Sequence, residues 1–173
     1  IKEPSNDQNQ SQFVEFQSQQ RNAIYCSSIK KTTSPRSIRN KIQILIEKSK
    51  EGDIISQLQL GACYSRGEGV SRDETKAFQY FMKAAESGDK NAQFIVGTCF
   101  SYGKGTEINK EEAFKFYVKS AEQGYSKAQF AVGHIYKYEK NESEDDEQIA
   151  IEWYRKAALQ GHKAAMKALQ LYQ

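Results

Sequence analysis

The sequence of 173 residues contains only two histidines and three cysteines, side chains that often bind metals, act as nucleophiles or form crosslinks. Neither His134 nor His162 has a cysteine or carboxylate at the spacing usual for a metal site. No serine, histidine and acidic residue form a recognisable catalytic cluster. We therefore predict no catalytic residue, no metal and no cofactor.

Long apolar runs and phosphate-binding motifs are also missing. No segment has the length and apolarity of a membrane span, so none is predicted. The glycines of Gly67–Gly69 and Gly103–Gly105 follow no predicted strand and precede no Gly-Lys-Ser/Thr triplet. They are interpreted as turns that join helices, rather than as a phosphate-binding loop.

The sequence does contain an internal repeat of 36 residues. The period is visible at glycine and alanine positions: Gly61, Gly97 and Gly133; Gly88 and Gly124; Ala77 and Ala113; Ala85 and Ala121. From the loop of the third copy onward the offset becomes 37, because one residue is inserted between Tyr138 and Asp146. An insertion that leaves the flanking pattern intact belongs in a loop.

Each copy is predicted to form two helices. In the first half, small or apolar residues recur at i, i+4, i+7 and i+8, which is one face of an α-helix. In the second copy these are Ala92, Val96, Cys99 and Phe100. The second half repeats the pattern more densely, and one helix pair of this size cannot bury its apolar face alone. The pairs are therefore predicted to stack as an α-solenoid.

Polar residues and glycines are predicted to mark the helix ends. Asp53 and Asp89 are placed to cap first helices. The residues placed to cap second helices share one repeat position: Asp73, Asn109 and Asp146. The glycines placed to end second helices share another: Gly88, Gly124 and Gly161.

Three glycines lie inside first helices, where glycine costs roughly 1 kcal/mol relative to alanine. These are Gly61, Gly97 and Gly133. Their recurrence predicts a close approach of the first helix to the second, with Ala84, Ala85 and their counterparts as the facing surface.

The stretch LGACYSRGEGVSRDETKAFQYFMKAAESGD resembles the Sel-one-like repeat, a relative of the tetratricopeptide repeat whose pattern reads roughly LGxxYxxGxGVxxDxxKAxxWYxKAAxxG. The second copy keeps VGTCFSYGKGT and EEAFKFYVKSAEQG; the third keeps VGHIYKY and AIEWYRKAALQG but replaces both loop glycines. The resemblance covers about Gly52 to Gln173. It implies an all-α, right-handed solenoid of antiparallel helix pairs that acts as a non-catalytic protein-binding scaffold or adaptor.

The predicted organisation is an arm followed by the solenoid. Residues 1–35 form a Gln/Asn/Ser-rich arm, expected to be disordered alone, in which Phe13 and Phe16 are apolar handles. Residues 36–173 form the solenoid, with these parts: half-repeat 36–53, repeats 54–89, 90–125 and 126–162, and terminal helix 163–173.

Partner contacts are predicted on the first helices, which by analogy with related repeats line the concave face. The exposed candidates lie beside the core face: Gln59, Ala62, Arg66, Ile95, Thr98, Tyr102, Ala131, His134 and Tyr138. Arginine and tyrosine are common interface anchors, which favours Arg66, Tyr102 and Tyr138.

Two other classes of function are considered. The chain is alternatively a structural accessory subunit of a large enzyme complex, such as an organellar one, with the arm bound along a neighbour. The third class is a hydrolase-like enzyme, because hydrolase activity has been proposed for some cysteine-rich relatives. The paired cysteines that some secreted relatives carry in each repeat are absent here, which disfavours this reading.

Charge and cysteine usage suggest the kind of partner and compartment. The net charge is +3, and the acidic run Glu142 to Glu147 interrupts any continuous basic face, so a protein partner is expected rather than nucleic acid. This run is interpreted as a solvated loop. Cys63 and Cys99 share a repeat position beyond disulfide reach and are expected to be core thiols, which favours a reducing compartment. Cytoplasm is the first expectation, then mitochondrion, or the ER lumen if the Asn141 sequon is used.

Overall fold

The computed structural model describes residues 35–140 and 143–172. These residues form helices and turns, with no strand among them. They belong to two compact units, the first ending at Asp73 and the second beginning at Glu74. The expectations for residues 1–34 of the arm, including Phe13 and Phe16, and for the sequon residue Asn141 concern residues outside the described ranges.

The first unit contains a pair of packed helices, α1 (Pro35–Lys50) and α2 (Ile54–Arg66). Proline suits the first position of α1, because the amide hydrogen it lacks would have no partner inside the helix. Gly52, with φ of 89°, turns the chain between the helices. The side chain of Asp53 then accepts a hydrogen bond from the Ser56 amide at 2.8 Å, which confirms the predicted cap.

The second unit contains six helices, and each packs against the next along the chain. They are α3 (Glu74–Glu86), α4 (Lys90–Tyr102), α5 (Lys110–Glu122), α6 (Ser126–Tyr138), α7 (Glu144–Leu159) and α8 (Lys163–Leu169), followed by a 3₁₀ turn (Gln170–Tyr172). The most extensive packing joins α4 to α5 and α6 to α7. Buried side chains of α4, α5 and α6 form one core cluster, made of two aromatic rings, a valine and four alanines: Phe94, Ala113, Tyr117, Ala121, Ala128, Ala131 and Val132.

The predicted close approach at the interior glycines is confirmed for two of them. A Cβ atom on Gly97 would lie 2.8 Å from the ring of Tyr117 and 3.1 Å from the Ala113 carbonyl oxygen. A Cβ on Gly133 would lie 2.9 Å from the ring of Tyr154. For these two glycines the predicted facing residues are wrong: a flat tyrosine ring covers each glycine, whereas the late alanines of the second helices are buried in the core.

Most predicted caps of the second unit are confirmed. Asp89 accepts from the Ala92 amide at 2.7 Å, and Asn109 accepts from the Glu112 amide at 3.0 Å. The predicted closing glycines have positive φ, from 77° to 89°: Gly88, Gly124 and Gly161. The caps and closing glycines therefore define where these helices begin and end.

The prediction for Asp146 and the acidic loop is wrong. Helix α7 begins at Glu144, and Ser143 caps it by accepting from the Asp146 amide at 3.2 Å. Four acidic residues therefore lie in the first helical turn, residues 144–147, where the helix dipole stabilises negative charge. Because Ser143 supplies the cap, the helix starts earlier than the repeat pattern alone predicts.

A recurrent buried glutamine, which the sequence analysis missed, links successive helices. Gln93 donates its side-chain amide to the Ala85 carbonyl at 3.3 Å, and Gln129 donates to the Ala121 carbonyl at 3.2 Å. Gln57 makes the same bond to the Ser49 carbonyl at 3.4 Å. Each glutamine therefore adds a second hydrogen bond to a carbonyl near the end of the preceding helix, which already accepts one from the amide of the closing glycine.

Cys63 and Cys99 are both buried thiols, as predicted for core residues. Burial raises the pKa of the Cys99 thiol to about 12, so this group remains protonated and unreactive in the folded chain.

Candidate partner-binding surface

The predicted contact residues of the second unit lie on α4 and α6. Thr98 and His134 share one repeat position, and Tyr102 and Tyr138 share another, four residues further along the same helix face. We call these four residues, with Ile95 on α4, the first-helix stripe. Tyr102 is 39% exposed and Tyr138 is 50% exposed, whereas Ile95, Thr98 and His134 are half-buried.

One candidate is not available to a partner. Ala131, the counterpart of Ile95, was expected to be exposed but is 7% exposed and belongs to the core that includes Phe94, Tyr117 and Val132. Its side chain is small and packs where the longer side chain of Ile95 reaches the surface. The stripe therefore includes Ile95 on α4 but not the corresponding Ala131 on α6.

Thr98 helps to hold a buried tyrosine in place. Its hydroxyl donates to the Phe94 carbonyl at 3.0 Å and accepts from the Tyr117 hydroxyl at 3.4 Å. The Tyr117 hydroxyl also lies 3.2 Å from Ser101 Oγ. Burial raises the pKa of Tyr117 to about 12, although these two hydrogen bonds act in the opposite direction. Thr98 thus supports the packing beneath the stripe.

Tyr102 lies at an edge of the stripe where charged side chains approach. Burial, followed by the nearby Glu139 carboxylate, raises the pKa of Tyr102, so its hydroxyl is neutral and can donate a hydrogen bond. Lys110 Nζ lies 3.9 Å from Glu139 Oε1. An amphipathic ring beside a charged pair is a common feature of protein-binding surfaces.

His134 lies among aromatic rings. Its ring centroid is 4.5 Å from that of Tyr138 and 6.2 Å from that of Phe130. Burial, with a smaller effect of the Lys137 charge, lowers the pKa of His134 to about 4. A neutral imidazole with so low a pKa is a weak general base at neutral pH, so the geometry favours a contact role over catalysis.

His162 occupies the N-cap position of α8. Its Nδ1 atom accepts from the Ala165 amide at 3.3 Å, and its ring stacks on Phe130 with centroids 4.8 Å apart. Burial and the Lys127 charge lower the pKa of His162, which favours the neutral ring that this cap requires.

Two predicted contact residues belong to the first unit. Arg66, at the repeat position of Tyr102, donates from Nε to the Ala62 carbonyl at 3.3 Å, and its Nη1 lies 3.5 Å from Glu68 Oε1. Gln59 and Ala62 are half-buried on the same helix. Arg66 is therefore anchored by its own helix end and presents an ordered guanidinium.

The described residues hold no cluster of three or more histidine, cysteine or acidic side chains that would suit a metal ion. None of the helices described for residues 35–140 and 143–172 is both long and apolar enough to cross a bilayer.

The Sel1 repeat family model matches three consecutive segments, residues 54–89, 90–125 and 126–162. The chain belongs to the Sel1 repeat family. Sel1 repeat proteins are generally protein-interaction scaffolds and are typically non-catalytic. No curated protein sequence matches the chain.

Solved structures of Sel1 repeat proteins share the all-α solenoid fold. A Sel1 repeat protein from Oxalobacter formigenes is 31% identical, with a TM-score of 0.70 over 78% of this chain and 55% of that one. The protective antigen c5321 of uropathogenic Escherichia coli, described as displaying an SLR fold, is 31% identical. The match has a TM-score of 0.67 and covers 84% of this chain and 31% of the antigen. Helicobacter pylori cysteine rich protein B is 20% identical, with a TM-score of 0.58. The match covers 79% of this chain and 98% of that protein, and it supports the fold alone. The Sel1 repeat chain spans about half and one third of the first two proteins.

Proposed function

We propose that this Sel1 repeat chain is a non-catalytic adaptor that binds a protein partner through the first-helix stripe. The observation that carries this proposal is the exposed tyrosine that recurs at one repeat position, Tyr102 and Tyr138. Tyrosine provides a large apolar contact area with a polar end and loses little conformational entropy on binding. Arg66 and Gln59 are proposed as contacts of the first unit.

The interior of the second unit supports a rigid binding surface. Tyr117 and Tyr154 pack over glycines that allow close approach, so the helices that carry the stripe are firmly held against α5 and α7. A surface that is ordered before binding loses less entropy when a partner docks. The absence of an enzymatic role is proposed on the family's usual function and on the low pKa of His134.

A reducing compartment, with the cytoplasm as first choice, remains part of this proposal. It is supported by the two buried thiols, Cys63 and Cys99, because disulfides are rare where thiols are kept reduced. Protein rather than nucleic acid is proposed as the partner, since acidic residues fill the first turn of α7.

The proposal is tested by affinity capture from native extract with three forms of the chain. These are the unchanged chain, the double variant Tyr102→Ala/Tyr138→Ala, and the control Leu159→Ala, which removes a side chain that is 88% exposed and outside the stripe. We expect the double variant to lose at least tenfold in partner recovery and the control to retain it. Equal recovery by all three forms would exclude the stripe.

A fourth form, lacking residues 1–35, tests the accessory-subunit alternative. If only this deletion releases the chain from a large stoichiometric complex, while the stripe variant remains bound, the arm is the attachment and the adaptor proposal is wrong.

A further inference from the structure

The end of α7 and helix α8 differ in charge from the corresponding parts of the earlier repeats. Residues 153–173 contain no aspartate or glutamate but four lysine or arginine residues: Arg155, Lys156, Lys163 and Lys167. All four side chains are exposed, and none forms an ion pair with a carboxylate of residues 35–140 and 143–172. The acidic residue nearest to them in the sequence is Glu152, three residues before Arg155. This end of the second unit therefore presents a cluster of cations to the solvent.

Two apolar side chains are exposed among these cations. Leu159 is 88% exposed, at a repeat position that holds Glu86 and Glu122 in the earlier copies. Met166 is 48% exposed, whereas Gln129, at the same position one repeat earlier, is buried. A leucine that stays so exposed gains little stability from burial, so packing within the chain does not explain it.

The six residues are spaced as neighbours on two exposed helix faces. Along α7 the cations lie three and four residues before Leu159, and along α8 they lie three residues before Met166 and directly after it. A short turn at Gly161 joins these two helices, which pack against each other. We call this set the basic end patch: Arg155, Lys156, Leu159, Lys163, Met166 and Lys167.

The repeat register places Met166 beside the end of α7. Gln129 occupies the same repeat position, and its side-chain amide lies 3.2 Å from the carbonyl oxygen of Ala121. Ala121 corresponds to Ala158, the residue directly before Leu159. The two apolar side chains of the patch therefore lie at adjoining helix ends.

Helix α8 lacks the face on which α6 packs its second helix. Phe130 of α6 contacts Tyr154 of α7, with ring centroids 5.4 Å apart, and Lys167 takes the place of Phe130 in α8. Gln170 takes the place of Gly133, where even a Cβ atom would lie 2.9 Å from the Tyr154 ring. A second helix packed in this way is therefore disfavoured on α8, which leaves the basic end patch to a different contact.

From this arrangement we propose that the basic end patch binds the surface of a membrane that contains anionic phospholipids. The four cations contact the anionic head groups, while Leu159 and Met166 enter the boundary between head groups and acyl chains. Such a contact requires no membrane-spanning segment. It is a second binding surface, distinct from the first-helix stripe, and it does not rest on the adaptor proposal.

The exposure of Leu159 favours a bilayer over an acidic protein. A side chain that protrudes so far lies in no groove, so a protein partner would have to supply a pocket that encloses it. A bilayer supplies an apolar phase to any protruding side chain and many anionic head groups to the surrounding cations. Clusters of four or more lysine or arginine residues on a helical surface are typical of binding to anionic lipids.

The test is co-sedimentation of the full chain with two kinds of vesicle, phosphatidylcholine alone and phosphatidylcholine with about one third phosphatidylserine. We expect at least tenfold stronger binding to the vesicles that contain phosphatidylserine. This binding should weaken as salt is added, because salt screens the attraction between the cations and the head groups. Equal binding to both kinds of vesicle, or binding to neither, would overturn the proposal.

Charge reversal tests the cations of the patch. Lys163→Glu/Lys167→Glu should weaken binding to the anionic vesicles at least tenfold, because each cation near an anionic surface contributes about fivefold. The control Lys48→Glu/Lys104→Glu makes the same change in net charge at two exposed lysines outside the patch and should lose much less binding. Equal losses by the two variants would show that binding depends on net charge alone, and the patch would not be the site.

Removal of the apolar side chains tests their insertion. Leu159→Ala/Met166→Ala should weaken binding to the anionic vesicles at least tenfold, because less apolar area enters the bilayer. The control Ile108→Ala removes an exposed apolar side chain from the loop before α5 and should bind normally. Soluble polyglutamate that bound as tightly as the anionic vesicles, with no loss in the Leu159→Ala/Met166→Ala variant, would assign the patch to an acidic protein and overturn the proposal.

The membrane proposal and the adaptor proposal can fail separately. Tyr102→Ala/Tyr138→Ala should bind the anionic vesicles normally, and Lys163→Glu/Lys167→Glu should still recover the protein partner from extract. Leu159 contacts only lipid in this proposal, so Leu159→Ala should also recover the protein partner. Loss of vesicle binding by the tyrosine variant alone would place the membrane contact on the stripe, and the proposed role of the basic end patch would be wrong.

Discussion

Gln160 donates its side-chain amide to Oε1 of Gln129 at 2.8 Å, across 31 residues of sequence. One repeat earlier, Gln123 makes the same bond to Gln93, also at 2.8 Å. Because Gln93 and Gln129 each bond a backbone carbonyl as well, one buried amide connects three segments. In repeats 90–125 and 126–162, two glutamines therefore tie consecutive helix pairs together.

Gln160→Ala should lower the free energy of unfolding by about 1 kcal/mol, because it leaves the buried Oε1 of Gln129 without its partner. The measurement is urea denaturation. Gln148→Ala, at an exposed position inside α7, the helix that ends just before Gln160, is the control for loss of a glutamine side chain and should change stability little. Equal effects of the two substitutions would show that the bond between the glutamines does not contribute.

Gly97→Ala should destabilise the chain by about 1–3 kcal/mol, because the added Cβ would lie 2.8 Å from the Tyr117 ring. Alanine also favours the helix by about 1 kcal/mol, so a net loss shows that the close contact dominates. The double variant Gly97→Ala/Tyr117→Leu should cost less than the sum of the two single variants in thermal or urea unfolding. A stabilised Gly97→Ala would contradict the close packing.

Stability should fall as the pH falls from about 6.5 to about 4, because the folded protein holds the pKa of His134 at about 4. The unfolded chain binds the proton first, at its usual pKa of 6.5, so the contribution is complete above this pH and is lost as the pH approaches 4. The loss from this group amounts to up to about 3 kcal/mol.

His134→Phe should remove most of this pH dependence when urea unfolding is measured at pH 7, 5.5 and 4.5. The remaining dependence should include His162, whose pKa is also lowered. A variant that keeps the full dependence would assign it to other groups.

Ser143→Ala should cost about 1 kcal/mol of stability through loss of the α7 cap. Asn109→Ala, the corresponding change at the start of α5, is the benchmark and should cost a similar amount. Urea unfolding measures both, and a neutral Ser143→Ala would place the start of α7 elsewhere.

Features set by local sequence were predictable here. The spacing of Ala92, Val96 and Cys99 defined a buried helix face. Asp89 and Asn109 were recognisable as caps because each side chain accepts a hydrogen bond from the backbone amide only three residues later. The fold class followed, since the same pattern recurs three times. The residues of the stripe follow from helix periodicity, but their role in binding is still a prediction.

Features set by contacts between helices were not predictable in the same way. The tyrosine that covers Gly97, the bond between Gln129 and Gln160, and the burial of Ala131 depend on how two helices are rotated against each other. Helical spacing does not encode that rotation. The recurrence of Gln57, Gln93 and Gln129 at one position was a signal in the sequence, since buried glutamines need partners.

The reactivity of the two buried thiols can report local opening of the folded chain. Cys63 lies in the first compact unit and Cys99 in the second, so an alkylating reagent can reach each sulfur only when the surrounding unit opens. Mass spectrometry of the labelled peptides would follow the two rates separately in one sample. Partner binding that slowed labelling at Cys99 but not at Cys63 would therefore identify the unit that the partner stabilises.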